Sequence, residues 1–345
     1  MADVGLSAFA TLPPASQAAT LAALPVRPAD VLAASERIAP FVHQTPLLSS
    51  RSLADACGCD LRLKAEHLQR SGSFKIRGAV NRLLALSAKE KQAGVVAFSS
   101  GNHAQGVALA AKLLGVSATL VMPSDAPQVK LAATESYGAQ IVLYDRQTED
   151  REAIARQISI EQGRTLVPPF DDPWVIAGQG TVGQELIQQW PDLDVALIPV
   201  GGGGLISGVA VALKAWRPSL RVIGVEPETA ADARDSLRAK RIVRIPQPQT
   251  IADGVATQAI GQLTFPIMSA LLDDIVTVRE DEIRHALELL ITRTKQLIEP
   301  TGALTTAAAL SGRVPLAGQR VMALLCGGNV DVRRLPQLLP TSKGA

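Results

Sequence analysis

The feature that most constrains this chain is a regular alternation of short β-forming runs with longer Ala- and Leu-rich stretches of helical period. Parallel strands joined by helices on both faces of a sheet produce this pattern. The predicted strands are Leu61–Lys64, Val95–Phe98, Ala118–Met122, Gln140–Leu143, Thr165–Val167, Val195–Val200, Arg221–Glu226 and Arg320–Leu325. The predicted helices are Lys75–Ser87, Asn102–Leu114, Gln128–Tyr137, Arg151–Gln162, Ile176–Gln189, Leu205–Trp216, Glu280–Thr294 and Gly302–Leu310. Ligands of such folds bind in loops beyond the carboxyl ends of strands.

Length and charge exclude several classes of protein. A chain of 345 residues suggests two domains. Its 34 basic and 32 acidic residues give a net charge of +2, and only 3% of residues are aromatic, so a nucleic-acid partner is not expected. Three cysteines are too few for a disulfide framework. The charge-free run Val195–Leu213 is interrupted by Pro199 and four glycines, so we expect no membrane span and a soluble, cytoplasmic protein.

The sharpest local motif is the glycine run Gly201–Gly204, which follows a predicted strand and precedes a predicted helix. Glycines let backbone amides approach a ligand closely, and a helix start carries partial positive charge, so the motif suits a phosphate group. Two interpretations remain open at this point. Gly202 and Gly204 also match the first positions of a nicotinamide-dinucleotide fingerprint, and Glu226 ends the next strand.

Two further segments combine a turn with the start of a helix. Ser71–Gly78 places Lys75 after a Gly/Ser loop, where desolvation and nearby positive charge favour a lysine that reacts with carbonyl groups. Phe98–Gly106 begins with hydroxyl and amide side chains that suit helix capping. The same turn leaves backbone amides available for a substrate carboxylate.

These three segments together resemble the fold-type-II pyridoxal-phosphate enzymes, in the group of threonine/serine dehydratases and serine racemases. The resemblance extends over Asp30–Leu335. It includes the segments Gln44–Leu47, Met122-Pro123, Ala126-Pro127, Ile176–Thr181, Ile251–Val255, Glu299–Gly302 and Cys326–Asp331. It implies an α/β fold like that of the tryptophan synthase β chain, with two open, twisted, mostly parallel sheets. We expect a flexible extension over 1–25, a large pyridoxal-phosphate domain over 26–91 and 170–345, and a small substrate-side domain over 92–169.

The resemblance also implies roles for individual residues. Lys75 would hold the cofactor as a Schiff base and take the α-proton of the substrate, and Cys326 would face the pyridine nitrogen. The implied cofactor site consists of Phe74, Lys75, Asn102, Gly201, Gly202, Gly203, Gly204, Leu205, Gly254, Glu299 and Cys326. The implied substrate site consists of Ser99, Ser100, Asn102, His103 and Arg151.

The implied reaction is α,β-elimination of a 3-hydroxy L-amino acid to a 2-oxo acid and ammonia. Threonine, serine, 3-hydroxyaspartate and phenylserine are the candidate substrates. Ser100 supports an alternative, because serine racemases resemble this chain in having a serine there, and a hydroxyl opposite Lys75 could return the proton from the other face. Pro168-Pro169-Phe170 differs from the racemase pattern.

A divalent cation is also implied by the resemblance. Glu226, the carbonyl of Ala230 and Asp232 match the positions that hold a cation in the metal-activated members of the group. Carboxylate and carbonyl oxygens suit Mg²⁺, Ca²⁺ or Mn²⁺. The group further implies a homodimer or homotetramer that acts on a small amino acid.

Overall fold

Parallel strands dominate the structure. The computed structural model describes residues 15–99, 101–126 and 128–340, and in these ranges ten strands form one sheet of six and one of four. The strands are β1 Leu47–Ser49, β2 Asp60–Lys64, β3 Val95–Phe98, β4 Ala118–Pro123, β5 Gln140–Tyr144, β6 Thr165–Leu166, β7 Val195–Pro199, β8 Arg221–Pro227, β9 Asp274–Val278 and β10 Arg320–Leu324. The predicted α/β class with two mostly parallel sheets is confirmed.

The helices connect these strands and pack on the sheets. They are α1 Ala15–Ala23, α2 Pro28–Ile38, α3 Arg51–Cys57, α4 Lys75–Leu84, α5 Ala88–Ala93, α6 Asn102–Leu114, α7 Gln128–Ser136, α8 Arg151–Gln162, α9 Pro173–Gln189, α10 Gly204–Trp216, α11 Asp232–Ala239, α12 Thr264–Leu271, α13 Glu280–Thr294, α14 Pro300–Leu310 and α15 Leu335–Leu338. None of the helices in the described ranges is long and apolar enough to cross a membrane.

The six-stranded sheet has the order β1-β2-β10-β7-β8-β9, and only the edge pair β1–β2 is antiparallel. Its faces bury two different apolar clusters, because side chains alternate along each strand. Ala196 and Ile198 of β7 join one cluster, while Val195 and Leu197 join the other. The charge-free run noted in the sequence is therefore β7 followed by α10, a helix buried along almost its whole length.

The four-stranded sheet has the order β5-β4-β3-β6 and is parallel throughout. All of its strands lie between Val95 and Leu166, inside the segment expected to form the small domain. The domain boundaries themselves stay a prediction.

The start of the described chain differs from the expected flexible extension. Ala15–Ala23 form a helix rather than an irregular segment, while residues 1–14 lie outside the described ranges. Leu21 is buried in the same cluster as α10, and the side-chain amide of Gln17 donates to the carbonyl of Lys214 at 3.1 Å. Apolar burial and this hydrogen bond account for the helix, which the Ala-rich composition alone did not distinguish from a loose tail.

Candidate active site

One cavity of about 160 Å³ lies where β3, β7 and β10 end and α4, α6 and α10 begin. It brings together segments that are far apart in the sequence. The predicted site residues on its wall are Phe74, Lys75, Ser99, Asn102, His103, Arg151, Gly201, Gly202, Gly203, Gly204, Leu205, Gly254, Glu299 and Cys326. Ser100, predicted as a second catalytic group, lies outside the described residues. The individual roles of these residues stay predictions.

Lys75 is held at the cavity by a short, constrained turn. It is the first residue of α4, and the preceding loop has Ser71 at a positive φ of 61°. The backbone N–H of Phe74 donates to the carbonyl of Cys326 at 3.2 Å, which ties this turn to the end of β10. The Lys75 amine donates to the carbonyl of Pro169 at 2.7 Å. The amine therefore has a fixed position inside the cavity.

Burial controls the charge of this amine. Desolvation lowers the pKa of Lys75 to about 8, although Cys326 and Glu299 act in the opposite direction. Desolvation likewise raises the pKa of the Cys326 thiol well above its usual value, so this side chain is a neutral thiol at neutral pH. A lysine with a lowered pKa supplies the neutral amine that attack on an aldehyde requires.

The glycine loop lies between β7 and α10, opposite Lys75. Gly203 has a positive φ of 91°. A Cβ on Gly202 would lie 2.2 Å from the ring of Phe170, and one on Gly204 would lie 2.9 Å from its Cβ, so neither position has room for a side chain. A small anion that meets this loop would contact backbone amides at the start of α10. The glycine loop thus suits the phosphate of pyridoxal phosphate, and the Lys75 amine suits its aldehyde.

The turn before α6 places polar groups on the facing wall. The amide Nδ2 of Asn102 donates to Glu299 Oε1 at 2.6 Å, and its Oδ1 accepts from Asn329 Nδ2 at 2.9 Å. The backbone N–H of Gly101 donates to the Ser99 hydroxyl at 3.1 Å. Asn102 is thus fixed by two neighbours at the position from which it is expected to meet the cofactor.

His103 is buried and uncharged. Its Nε2–H donates to the carbonyl of Val167 at 2.9 Å, and Nδ1 has no hydrogen-bond partner among the described residues. Desolvation, assisted by the charge of Lys75, lowers the pKa of His103 to about 3. His103 therefore acts as a neutral hydrogen-bonding group, with Nδ1 available as an acceptor.

Arg151 supplies positive charge at the cavity. It begins α8, whose first turn is capped by the side chain of Asp150, and its guanidinium lies 5.7 Å from the ring centroid of Phe98. In the described part of the chain, no carboxylate forms an ion pair with it. The cavity therefore carries a cation that a ligand carboxylate can neutralise.

The predicted cation ligands lie outside this cavity, at the end of β8 and the start of α11. Glu226 is fully buried and accepts the backbone N–H groups of Ala233 and Arg234, each at 2.9 Å. Asp232 is fully buried, and neither of its carboxylate oxygens has a hydrogen-bond partner among the described residues. Burial raises the pKa of Glu226 to about 8 and that of Asp232 to about 7. Two buried carboxylates with so few partners fit a cation, although no group of three or more His, Cys, Asp or Glu side chains forms a metal cluster in the described ranges.

Sequence reasoning missed part of the cavity wall. The additional lining residues are Phe98, Gly101, Pro169, Phe170, Gln179, Pro199, Asp253, Val255, Ala256, Thr257 and Thr301. Most of them lie within or next to the sequence segments that carry the family resemblance. Their position beside predicted residues could therefore have identified them as part of the cavity wall. The carbonyl of Pro169, in contrast, meets Lys75 across 94 positions of sequence, and no local pattern indicates that contact.

This chain is similar in sequence, over most of its length, to several proteins named for an enzymatic activity. It is 49% identical to an L-threo-3-hydroxyaspartate ammonia-lyase from Saccharomyces cerevisiae, over 90% of this chain and 95% of that protein. It is 43% identical to a catabolic L-threonine dehydratase from Escherichia coli, over 91% of this chain and 96% of that protein. The solved structure of maize serine racemase matches with a TM-score of 0.87 at 40% identity, over 90% of this chain and 96% of that one.

The family profile described as "Pyridoxal-phosphate dependent enzyme" matches residues 38–327. This match confirms the resemblance seen in the sequence and the cofactor it implies, and it disfavours the nicotinamide-dinucleotide interpretation of the glycine loop. The chain is an enzyme, and it belongs to the pyridoxal-phosphate dependent family.

Proposed function

We propose that this enzyme is an ammonia-lyase that prefers a 3-hydroxy amino acid with a second carboxylate, of which L-threo-3-hydroxyaspartate is the simplest. The reaction is α,β-elimination of water, after which the released enamine takes up one water and hydrolyses to the corresponding 2-oxo acid and ammonia. The observation that carries the substrate preference is Arg151, a guanidinium at the cavity wall that has no ion-pair partner among the described residues. The name of the 49% identical yeast relative agrees with this preference.

Charge in the cavity favours a dicarboxylate over serine or threonine. The α-carboxylate of any amino acid would meet the backbone amides at the start of α6, as expected from the sequence. Arg151 remains for a second anionic group, and a charge-assisted hydrogen bond from a guanidinium is stronger than a neutral one. The Phe98 ring beside Arg151 offers no hydrogen bond to the hydroxyl of a smaller substrate.

The chain's own residues have separable roles in this reaction. The bound cofactor supplies the electron sink that stabilises negative charge at the α-carbon. The Lys75 amine accepts the α-proton, because its lowered pKa leaves a substantial neutral fraction at physiological pH. The neutral thiol of Cys326 carries no charge toward the cofactor ring, and neutral His103 can accept a hydrogen bond at Nδ1.

Racemisation remains a second candidate activity. The overall likeness to maize serine racemase favours it, as does the serine at position 100. Following D-isomer formation beside 2-oxo acid release measures both activities in one reaction.

The substrate preference is tested with Arg151→Met. Wild-type enzyme should have a higher kcat/KM for L-threo-3-hydroxyaspartate than for L-serine or L-threonine. Arg151→Met should lower kcat/KM for the dicarboxylate about 10- to 100-fold, which corresponds to one lost charge-assisted hydrogen bond, and change kcat/KM for serine less than about threefold. Arg156→Met, in the same helix but not part of the cavity wall, is the control and should leave both values unchanged. A wild-type preference for serine, or an equal loss for all substrates in Arg151→Met, contradicts the proposal.

The proposed function includes a divalent cation held by Glu226, Asp232 and the Ala230 carbonyl. The support is the pair of buried carboxylates, which have no side-chain cation partner within ion-pair distance among the described residues. A hard cation there would offset their burial and join the end of β8 to α11. The cytoplasmic location and the homodimeric or homotetrameric state expected from the sequence also belong to this proposal.

A further inference from the structure

Three consecutive residues between β6 and α9 contact three different parts of the cofactor site. They are Pro169, Phe170 and Asp171, called here the linker. The carbonyl of Pro169 accepts a hydrogen bond from the Lys75 amine. The linker continues directly into Asp172, the N-cap of α9, so its far end is anchored in a long buried helix.

Phe170 packs against the glycine loop. Its ring occupies the space that a side chain at Gly202 would need, and its Cβ and backbone occupy the corresponding space at Gly204. The ring therefore covers one side of the loop without forming a hydrogen bond to it. Phe170 limits where the loop can lie but does not orient its peptide groups.

Asp171 binds the segment on the other side of that loop. Its Oδ1 accepts the backbone N–H of Leu263 at 2.8 Å, and its Oδ2 accepts that of Gln262 at 2.9 Å. A Cβ on Gly261 would lie 2.1 Å from Asp171 Oδ1, so this approach requires glycine at position 261. Both carboxylate oxygens thus hold the residues immediately before α12.

The start of α12 in turn holds the glycine loop. The hydroxyl of Thr264 donates to the carbonyl of Gly202 at 2.8 Å, and the N–H of Gly261 shares its hydrogen between that carbonyl, at 3.2 Å, and the Thr264 hydroxyl. A fixed carbonyl at Gly202 fixes the peptide plane that carries the N–H of Gly203. The direction of a loop amide therefore depends on the segment that Asp171 holds.

We propose that Asp171 is a positioning residue for the cofactor phosphate. It does not touch the phosphate; through Gln262, Leu263 and Thr264 it holds the glycine loop in the conformation that binds the phosphate. The proposal rests on the family's cofactor and is independent of which substrate the enzyme prefers. It distinguishes Asp171 from Asp172, whose carboxylate caps α9 and pairs with Arg82 at 3.0 Å.

The test compares two ligands that differ only in the phosphate. Full-length protein freed of its cofactor is titrated with pyridoxal phosphate and with pyridoxal, and Kd is measured from the change in absorbance. Asp171→Ala should weaken binding of pyridoxal phosphate about 10- to 100-fold, as expected for loss of a charged acceptor, and change binding of pyridoxal less than about threefold. Asp171→Asn, which keeps one acceptor oxygen, should fall between wild type and Asp171→Ala.

Asp172→Ala is the matched control, because it removes a neighbouring carboxylate whose hydrogen bonds, among the described residues, are to Arg82 and to the start of α9. It should affect both ligands equally. The proposal is overturned if Asp171→Ala weakens both ligands equally, if neither ligand is affected, or if Asp172→Ala shows the same selective loss. If Asp171→Ala does not fold, Asp171→Asn takes its place in the test. The quantity compared is again the Kd for pyridoxal phosphate divided by the Kd for pyridoxal.

Discussion

At the scale of single residues, desolvation sets the chemistry of the site. Lys75, His103 and Cys326 line one cavity, and burial favours the neutral form of each. Glu299 opposes this for the lysine, because its negative charge raises the pKa of Lys75, but burial has the larger effect. Arg151, on the same wall, has no ion-pair partner within the described ranges and so offers a positive charge to a ligand.

The lowered pKa of Lys75 predicts how cofactor capture depends on pH. Only a neutral amine attacks the aldehyde, so the capture rate should rise about tenfold per pH unit below about pH 8 and level off above it. With an ordinary lysine, whose pKa is 10.5, the capture rate would continue to rise above pH 8. Stopped-flow absorbance of cofactor-free protein mixed with pyridoxal phosphate measures the rate.

Nα-acetyl-lysine under the same conditions is the control for titration of the cofactor itself. Its reaction should continue to accelerate beyond the point at which the enzyme reaches its plateau. A plateau of the enzyme reaction near the ordinary lysine pKa would contradict the assignment of a desolvated amine at Lys75.

Local motifs indicated Lys75, the glycine loop and the turn before α6, and the family resemblance implied the other predicted wall residues, but neither indicated the long-range contacts. Lys75 follows a Gly/Ser turn and Gly201–Gly204 follow a strand, so each is visible within a few residues of sequence. The contact of Phe170 with Gly202 depends on how two distant segments pack. Nothing in the composition of the linker indicates which of its side chains or carbonyls faces the glycine loop.

At the scale of elements, a buried ion cluster holds the helix that carries Lys75. Arg77, two residues further along α4, donates from Nε and Nη2 to Glu66, each at 2.8 Å, and from Nη1 to Glu185 at 2.6 Å. Lys64 at the end of β2 also donates to Glu185. Burial alone would raise the pKa of Glu66, but Arg77 and Lys64 together lower it. The cluster thus joins α4 to β2 and α9.

Removing one charge from this cluster should destabilise the fold strongly. Arg77→Met leaves Glu66 buried without its main partner, so the free energy of unfolding should fall by about 3–5 kcal/mol. Denaturant unfolding followed by circular dichroism measures the change. The solvent-exposed pair of Arg156 with Glu152 is the control, and Arg156→Met should cost no more than about 0.5 kcal/mol. A loss below about 1 kcal/mol in Arg77→Met would show that the cluster does not hold α4.

The bounds of α6, α8 and α13 were predicted without error. The bounds of α8 agree with the prediction, since Asp150 caps its start and Gly163 ends it in a left-handed conformation. Helix α4 ends at Leu84 rather than at Ser87, because Ser87 caps the separate helix α5 through a capping box with Glu90. The short strand β1 was missed, as three residues are too few to show a period.

At the scale of the whole molecule, the cavity proposed to bind the cofactor lies where the two sheets approach each other. Strand ends from both sheets reach the cavity, through Phe98 of β3 and through the loops that follow β7 and β10. The linker passes from the four-stranded sheet to α9 at this point. Ligands that bind such a junction stabilise the native state of the whole chain by mass action.

The proposed cation should likewise be visible in the stability of the whole molecule. Chelation should lower Tm, and adding back Mg²⁺, Ca²⁺ or Mn²⁺ should restore it, by an amount equivalent to about 2.7 kcal/mol at a hundredfold excess over Kd. The double variant Glu226→Gln with Asp232→Asn should lose this response, and without cation it should melt no lower than chelated wild type, because neutral amides avoid the desolvation cost that raises the pKa of both carboxyl groups. Asp55→Asn, at an exposed position, is the control and should keep the full response. A Tm that none of the three cations shifts, or a shift that survives in the double variant, would remove the cation from Glu226 and Asp232.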